Sequence, residues 1–159
     1  MENNVFDKFN NDWALVTCGT MDKFNAMTIS WGGMGILWNR KVITIYIKES
    51  RHTLSFLKEN DYFTVSFYDE KHRDALAKLG SLSGRDIDKI KEVNFHPITI
   101  NESITFNEAH ETYVCHKIYL KKMEYEDVPE FTKPRYESID NTHYIIIGEI
   151  VDYQNNKSI

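Results

Sequence analysis

The sequence predicts a mainly β chain, a closed or nearly closed, Greek-key-like antiparallel barrel with short helical insertions. Three observations lead there. Runs rich in β-branched and aromatic residues outnumber helical patterns, they are spread along the whole chain, and the helical patterns between them are short. At 159 residues the chain reads as one domain over residues 1–159, large enough to bury a core.

In chain order, Trp13–Gly19 reads as a strand and Met21–Asn25 as a connection. The stretch from Asn25 to Trp38 begins as a strand at Thr28 and Ile29, then meets Gly32, Gly33 and Gly35 between Trp31 and Trp38. Glycines beside indoles leave backbone amides open next to flat apolar faces, which suits a ligand; a buried strand and loop with core tryptophans is the alternative. Val42–Lys48 is the clearest strand. Ser50 then reads as a helix N-cap, Leu54, Phe56 and Leu57 as the apolar face, and Asn60 and Asp61 as the end. Tyr62–Phe67 is a further strand. Ala75, Leu76 and Leu79 have helical spacing, with Gly80 as the stop. Ser83 and Asp86 have capping-box spacing, predicting a second short helix that starts near Arg85 or Asp86. Thr112–Met123 and His143–Tyr153 are two long strands; the charged segment between them, with Pro129 and Pro134, reads as a loop with one helical turn. Lys121 and Lys122 read as edge protection.

Composition narrows the function classes. A formal charge of −5 argues against a nucleic-acid partner, though not against a local basic pocket for a small anion. No secretory pattern opens the chain and no apolar run approaches membrane-spanning length, so no membrane partner and a cytoplasmic location are expected. Cys18 and Cys115 lie in apolar runs, as buried free thiols would. No metal is expected: His110 and His116 share strand parity but lack zinc-site spacing, and His52, His72 and His96 read as ordinary surface or loop histidines. Gly33-x-Gly35 lacks a third glycine and a following βαβ pattern, so a Rossmann site is not expected. Trp13 reads as core or dimer contact.

Two segments carry chemistry. Ser50-Arg-His-Thr53 gathers hydroxyls, a guanidinium and free amides at a helix start, an arrangement suited to phosphate; a plain capped helix is the alternative. Ser83-Gly-Arg-Asp-Ile-Asp-Lys89 sets Arg85 and Lys89 four apart beside a glycine turn, although Asp86 and Asp88 offer pairing on a solvated face. Two anion sites with tryptophans nearby suggest a phosphorylated aromatic ligand.

These residues carry a resemblance. Asn25-Ala-Met-Thr-Ile-Ser-Trp31, Ser50-Arg-His-Thr53, Leu79-Gly-Ser-Leu-Ser-Gly-Arg-Asp-Ile-Asp-Lys89 and His143-Tyr-Ile-Ile-Ile-Gly-Glu-Ile150 occur in that order. Together they resemble the flavin reductase-like family of FMN-binding split barrels, which includes flavoredoxin, from about the first strand to Tyr153. The resemblance implies a split β-barrel homodimer with FMN near the subunit interface and NAD(P)H as electron donor. It places Asn25, Ala26, Met27, Thr28 and Ser30 along the isoalloxazine, with Trp31 packed beside it. Ser50, Arg51 and Thr53 would hold the ribityl phosphate, with Ser83, Arg85 and Lys89 as further contacts. His143 would approach the flavin as the catalytic-site histidine, from the same or the partner subunit; it, Lys89 or backbone amides would stabilise the reduced ring. Several relatives carry a C-terminal extension whose aromatic residue covers the flavin; with Ile159 as the last residue here, that cover is expected to be absent or supplied otherwise. The implied activity is an FMN-binding oxidoreductase moving hydride or electrons between NAD(P)H and flavin or a downstream acceptor, which includes a protein acceptor. The alternatives are an FMN-holding electron carrier without efficient NAD(P)H turnover, and a relative resembling pyridoxamine-phosphate oxidases.

Overall fold

The computed structural model describes residues 4–85 and 88–156. Helical turns α1 (Val5–Asp7) and Lys8–Asp12 lead into β1 (Ala14–Gly19), β2 (Phe24–Ile29), β3 (Gly32–Leu37) and β4 (Arg40–Lys48). Helix α2 (Thr53–Glu59), β5 (Tyr62–Phe67), α3 (Arg73–Ser81) and α4 (Lys89–Val93) follow. The short strands β6 (Pro97–Ile100) and β7 (Ser103–Phe106) precede the long pair β8 (Glu111–Lys122) and β9 (His143–Asn155).

Seven strands form one antiparallel sheet in the order β2-β1-β5-β8-β9-β4-β3. Its two edge strands, β2 and β3, are sequence neighbours joined only by Ser30 and Trp31. The sheet therefore curls until its edges meet at that joint, yet the two do not pair, and the barrel is left split along β2 and β3. Register shifts at Val114/Cys115 and Lys117/Tyr119, where β8 meets β9, add the local twist that long strands need to wrap.

Strand parity builds two cores. Val16 and Cys18 of β1, Ile43, Ile45 and Ile47 of β4, Phe63 and Val65 of β5 and Ile146 of β9 fill the barrel, which Leu54, Phe56 and Leu57 of α2 plug. Leu15 and Ala26 point the other way and meet Leu76 and Leu79 of α3, Phe95 and Phe106. Burial on both faces explains why apolar residues follow one another along β1 rather than alternating with polar ones, Thr17 apart. Cys18 and Cys115 are buried free thiols, and burial pushes the Cys18 thiol up to about 12, which keeps it protonated.

Gly148 marks the tightest passage of β9. A methyl group there would stand 2.6 Å from Cys115 Cβ and 2.7 Å from the Phe63 ring. Gly148→Ala is expected to lower stability by about 1–3 kcal/mol through overpacking, read as a lower denaturation midpoint.

Several expectations are corrected. The glycine-rich stretch is not a loop: it is edge strand β3, paired with β4 through a tight turn at Trp38 and Asn39, both at positive φ (51° and 58°). Ser50 does not cap α2. Strand β4 ends at Lys48 and the chain turns before Thr53, so the N-cap position falls to His52, and Asn141 accepts the Ser50 N–H at 3.0 Å. Gly80 lies inside the last turn of α3, which runs on to Ser81. Helix α4 starts at Lys89 behind Asp88, whose carboxylate accepts the Lys91 N–H. Asp86, the far half of the expected capping box, lies outside the described residues; the Ser83 hydroxyl instead accepts the Arg85 N–H at 3.2 Å. The β6–β7 hairpin was not foreseen. Strand β8 sits between β5 and β9, but β5 pairs with it only as far as His116, so Lys121 and Lys122 pair with β9 alone and lie along a locally open edge, as expected; Lys122 donates to the Asp140 carbonyl at 2.6 Å. His110 precedes β8 and stands 3.3 Å from Asp69, while the His116 ring rests on Tyr62, so the two do not form a pair.

Candidate functional site

The split of the barrel creates the site. As an edge strand, β2 turns one row of backbone N–H and C=O groups away from β1. A cavity of about 240 Å³ lies along it, lined by Met27, Thr28, Ser30, Trp31, Tyr46, Lys48, Arg51, Gly80 and His143. An edge of unpaired amides beside an indole and an imidazole suits a flat heteroaromatic ring with hydrogen-bonding edges.

A smaller polar cavity of about 150 Å³ adjoins it, lined by Asn25, Met27, Ser50, Arg51, His52, Thr53, Ser83, Gly84 and Lys89. Met27 and Arg51 line both. The chain reaches this arrangement by closing the end of α3 against the start of α2. Arg51 donates to the Gly80 carbonyl at 2.8 Å, and the Lys89 ammonium donates to the carbonyls of Leu79 and Leu82 at 3.1 and 3.2 Å. Gly84 comes so close to Asn25 that a Cβ would lie 2.4 Å from Asn25 Oδ1, while Asn25 donates to the Thr53 hydroxyl at 2.9 Å. A larger residue at 84 would displace the Asn25 side chain from that bond.

The charges fit an anion. Lys89 is 3% exposed, and burial, with the Arg51 cation nearby, pulls its ammonium down to about 8. Burial likewise lowers Arg51 from its ordinary value. Two cations share a partly desolvated pocket with the hydroxyls of Ser50, Thr53, Ser81 and Ser83, and the ammonium has three donors of which the two carbonyls take two. A phosphate ester satisfies that donor set and relieves the repulsion between the cations.

His143, the first residue of β9, closes the ring end of the site. Its ring centroid stands 5.2 Å from that of Trp31, and Nδ1 lies 2.8 Å from the Tyr136 hydroxyl. Burial, then the Lys48 cation, lowers its pKa to about 4, so it is neutral through the physiological range. The sign follows: the unfolded chain binds this proton near pH 6.5, so stability is lost as the pH falls from about 6.5 towards 4. An NMR titration of the His143 ring is expected to show a midpoint below 5; a midpoint near the free-histidine value of about 6.5 would contradict this environment.

Of the residues singled out in the sequence, Asn25, Met27, Ser50, Arg51, Thr53, Ser83 and Lys89 come together at the polar cavity. Thr28, Ser30, Trp31 and His143 line the ring cavity. The Thr28 hydroxyl is already engaged, donating to the Leu76 carbonyl at 2.6 Å. Ala26 departs from expectation: its methyl is fully buried in the core under α3, because alternation along β2 turns it away from the barrel, so only its backbone is available. Arg85 is exposed, ties the Ser50 carbonyl at 2.9 Å, and lines a wider outer hollow beyond Gly84 instead of the polar cavity. Tyr46 and Lys48 were not singled out, although their parity opposite Ile45 and Ile47 on β4 carried the signal. Tyr136 reaches His143 from the long connection, and no local pattern announces it.

Among the described residues no group of three or more His, Cys, Asp or Glu side chains is placed to hold a metal ion. No helix among them is long and apolar enough to cross a membrane.

Comparison with known proteins agrees with this architecture. Flavoredoxin from Methanosarcina acetivorans superposes with a TM-score of 0.74 at 19% identity, covering 99% of this chain and 74% of that one. An FMN-binding protein from Thermus thermophilus with bound p-hydroxybenzaldehyde gives 0.73 at 17%, covering 91% and 71%. Nitrilotriacetate monooxygenase component B from Bacillus cereus gives 0.72 at 18%, covering 91% and 69%. No curated protein sequence matches. The flavin reductase like domain matches residues 6–158, nearly the whole chain, and the chain belongs to that family.

Proposed function

We propose that this protein is an FMN-binding oxidoreductase that moves hydride or electrons between NAD(P)H and flavin or a downstream acceptor. The observation that carries the reading is the adjacency of the two cavities. A cationic, hydroxyl-lined pocket shares Met27 and Arg51 with a slot bounded by an unpaired strand edge, Trp31 and His143. That sequence of surfaces matches phosphate at one end and an isoalloxazine at the other. Bound FMN supplies the hydride-accepting chemistry; the chain supplies position and charge. Ser50, Arg51, Thr53, Ser83 and Lys89 hold the phosphate, the β2 edge from Asn25 to Ser30 offers amides to the polar rim of the ring, and Trp31 packs beside it. His143, neutral, faces the slot as a polar group rather than as a charge.

A second reading shares this site: an FMN-holding electron carrier that passes electrons to a protein acceptor with little NAD(P)H turnover. The similarity to flavoredoxin favours keeping it. A homodimer belongs to the proposal as well, since β3 is an unpaired edge and the nearby Ile36 and Trp38 are 71% and 65% exposed. A cytoplasmic location accords with the two free thiols.

Protein purified without added cofactor is expected to show flavin absorption, and the released chromophore to be FMN. Steady-state NAD(P)H oxidation with added FMN or FAD then separates the readings. Rapid turnover supports the oxidoreductase, whereas slow reduction with fast reoxidation by a protein partner supports the carrier. A colourless protein that fails to bind added FMN overturns both.

A further inference from the structure

The connection between β8 and β9 folds back over His143 and is pinned there at several points. Lys48 lies 5.8 Å over the Tyr136 ring and donates to the Arg135 carbonyl at 3.4 Å. Tyr136 donates its backbone N–H to Lys133, and its ring meets those of Tyr125 and His143 edge to face. Ser50, in the turn at the phosphate end, donates its N–H to Asn141 of the same connection. The Tyr136 hydroxyl is thus delivered to His143 Nδ1 at 2.8 Å by a fixed ring, not by a wandering side chain. Of the two ring nitrogens, Nδ1 is the one that finds a partner among the described residues.

We propose that Tyr136 is a positioning residue that holds His143 in the tautomer with the proton on Nε2, so that a neutral imidazole presents a hydrogen-bond donor to the ring cavity. The chemistry runs as follows. A neutral imidazole has one donor nitrogen and one acceptor, and the hydrogen bond at one nitrogen fixes the role of the other. A phenol is a good donor and a poor acceptor beside an imidazole nitrogen, so Tyr136 donates and Nδ1 accepts. The proton then stands on Nε2. The surroundings oppose a second proton: Lys48 on β4 and Arg51, which lines the same cavity, are cations, Arg135 lies 5.9 Å over Trp31, and of the carboxylates on the neighbouring segments Glu137 stands 3.6 Å from Lys48 and accepts from Asn141, while Glu49 stands 3.9 Å from both Lys58 and Lys122. A donor without a net charge suits an electron-rich ring edge better than an acceptor would. The consequence for flavin rests on the functional reading above; the tautomer itself does not.

The test is a long-range proton–nitrogen NMR correlation on protein labelled with ¹⁵N-histidine, recorded at neutral pH without flavin and again after saturation with FMN. His143 is expected in the Nε2–H form in both. In Tyr136→Phe, which keeps the ring and removes only the hydroxyl, the ratio of the two tautomers is expected to fall by about tenfold, the worth of one net hydrogen bond. An Nδ1–H form in the parent protein, or an unchanged ratio in Tyr136→Phe, overturns the proposal. The parent spectrum decides even if the variant does not fold. Failure of FMN to bind would instead strike the flavin reading and leave the tautomer result standing.

Discussion

Arg51→Ala is expected to weaken FMN binding by about 1.5–3 kcal/mol, roughly 10–150-fold, while leaving the fold nearly as stable as before. The guanidinium lines both cavities, so its removal strips a charge-assisted contact from the phosphate and a wall from the ring slot. Among the described residues its guanidinium bonds the Gly80 carbonyl in the last turn of α3, and water can replace that bond at a half-buried position. Lys89→Ala is expected to lose a similar share of binding and, in addition, about 1–3 kcal/mol of stability. The difference lies in what each cation does for the protein itself. The Lys89 ammonium is the buried partner of the Leu79 and Leu82 carbonyls, which alanine leaves unsatisfied. Flavin titration and denaturant melts of the two variants separate the effects. Parent-like retention of FMN by both through extensive dialysis would show that the phosphate does not sit between these residues.

That distinction also marks what the sequence made legible. Strands such as β4 and β5 are readable because their β-branched and aromatic residues follow strand periodicity and their ends carry turn residues. Strand β3 resists the same reading, since Gly32, Gly33 and Gly35 have no side chains with which to show a pattern. It is a strand because the turn at Trp38 and Asn39 returns the chain along β4, so pairing overrides propensity. The β6–β7 hairpin did carry a signal: Ile98, Ile100, Ile104 and Phe106 alternate on either side of Asn101, which adopts the positive φ that asparagine tolerates. At the site, the two candidate anion-binding segments were legible separately from the residues, and only the resemblance joined them; what brings them together is the set of bonds from Arg51 and Lys89 to the end of α3. Ala26 shows the limit of reading a motif as a block: alternation along β2 sends every second side chain into the core beneath α3. Tyr136 shows another, since its role exists only once a loop has folded onto β9.

The pH dependence of FMN binding is expected to be set by Lys89. With its ammonium lowered to about 8 in the ligand-free protein, a phosphate beside it restores the charge and raises the pKa. Above about pH 8 binding must therefore take up a proton, and the apparent Kd is expected to rise by up to tenfold per pH unit. At the acid end the phosphate monoester loses its second charge below about pH 6, so affinity is greatest between about 6 and 8. The empty protein behaves in the opposite sense. Its folded-state lysine pKa is below the unfolded value of 10.5, so the unfolded chain binds more protons between about 8 and 10.5 and stability rises with pH across that window. A positive slope in the empty protein that flattens in the loaded one is the signature of a buried cation kept for an anionic ligand; a lysine serving the fold alone would give the same slope in both. Isothermal titration in buffers of different ionisation enthalpy, repeated with Lys89→Met, measures the proton directly. Uptake near pH 8.5 in the parent and none in the variant is the expected result, and equal uptake in both would assign the proton elsewhere.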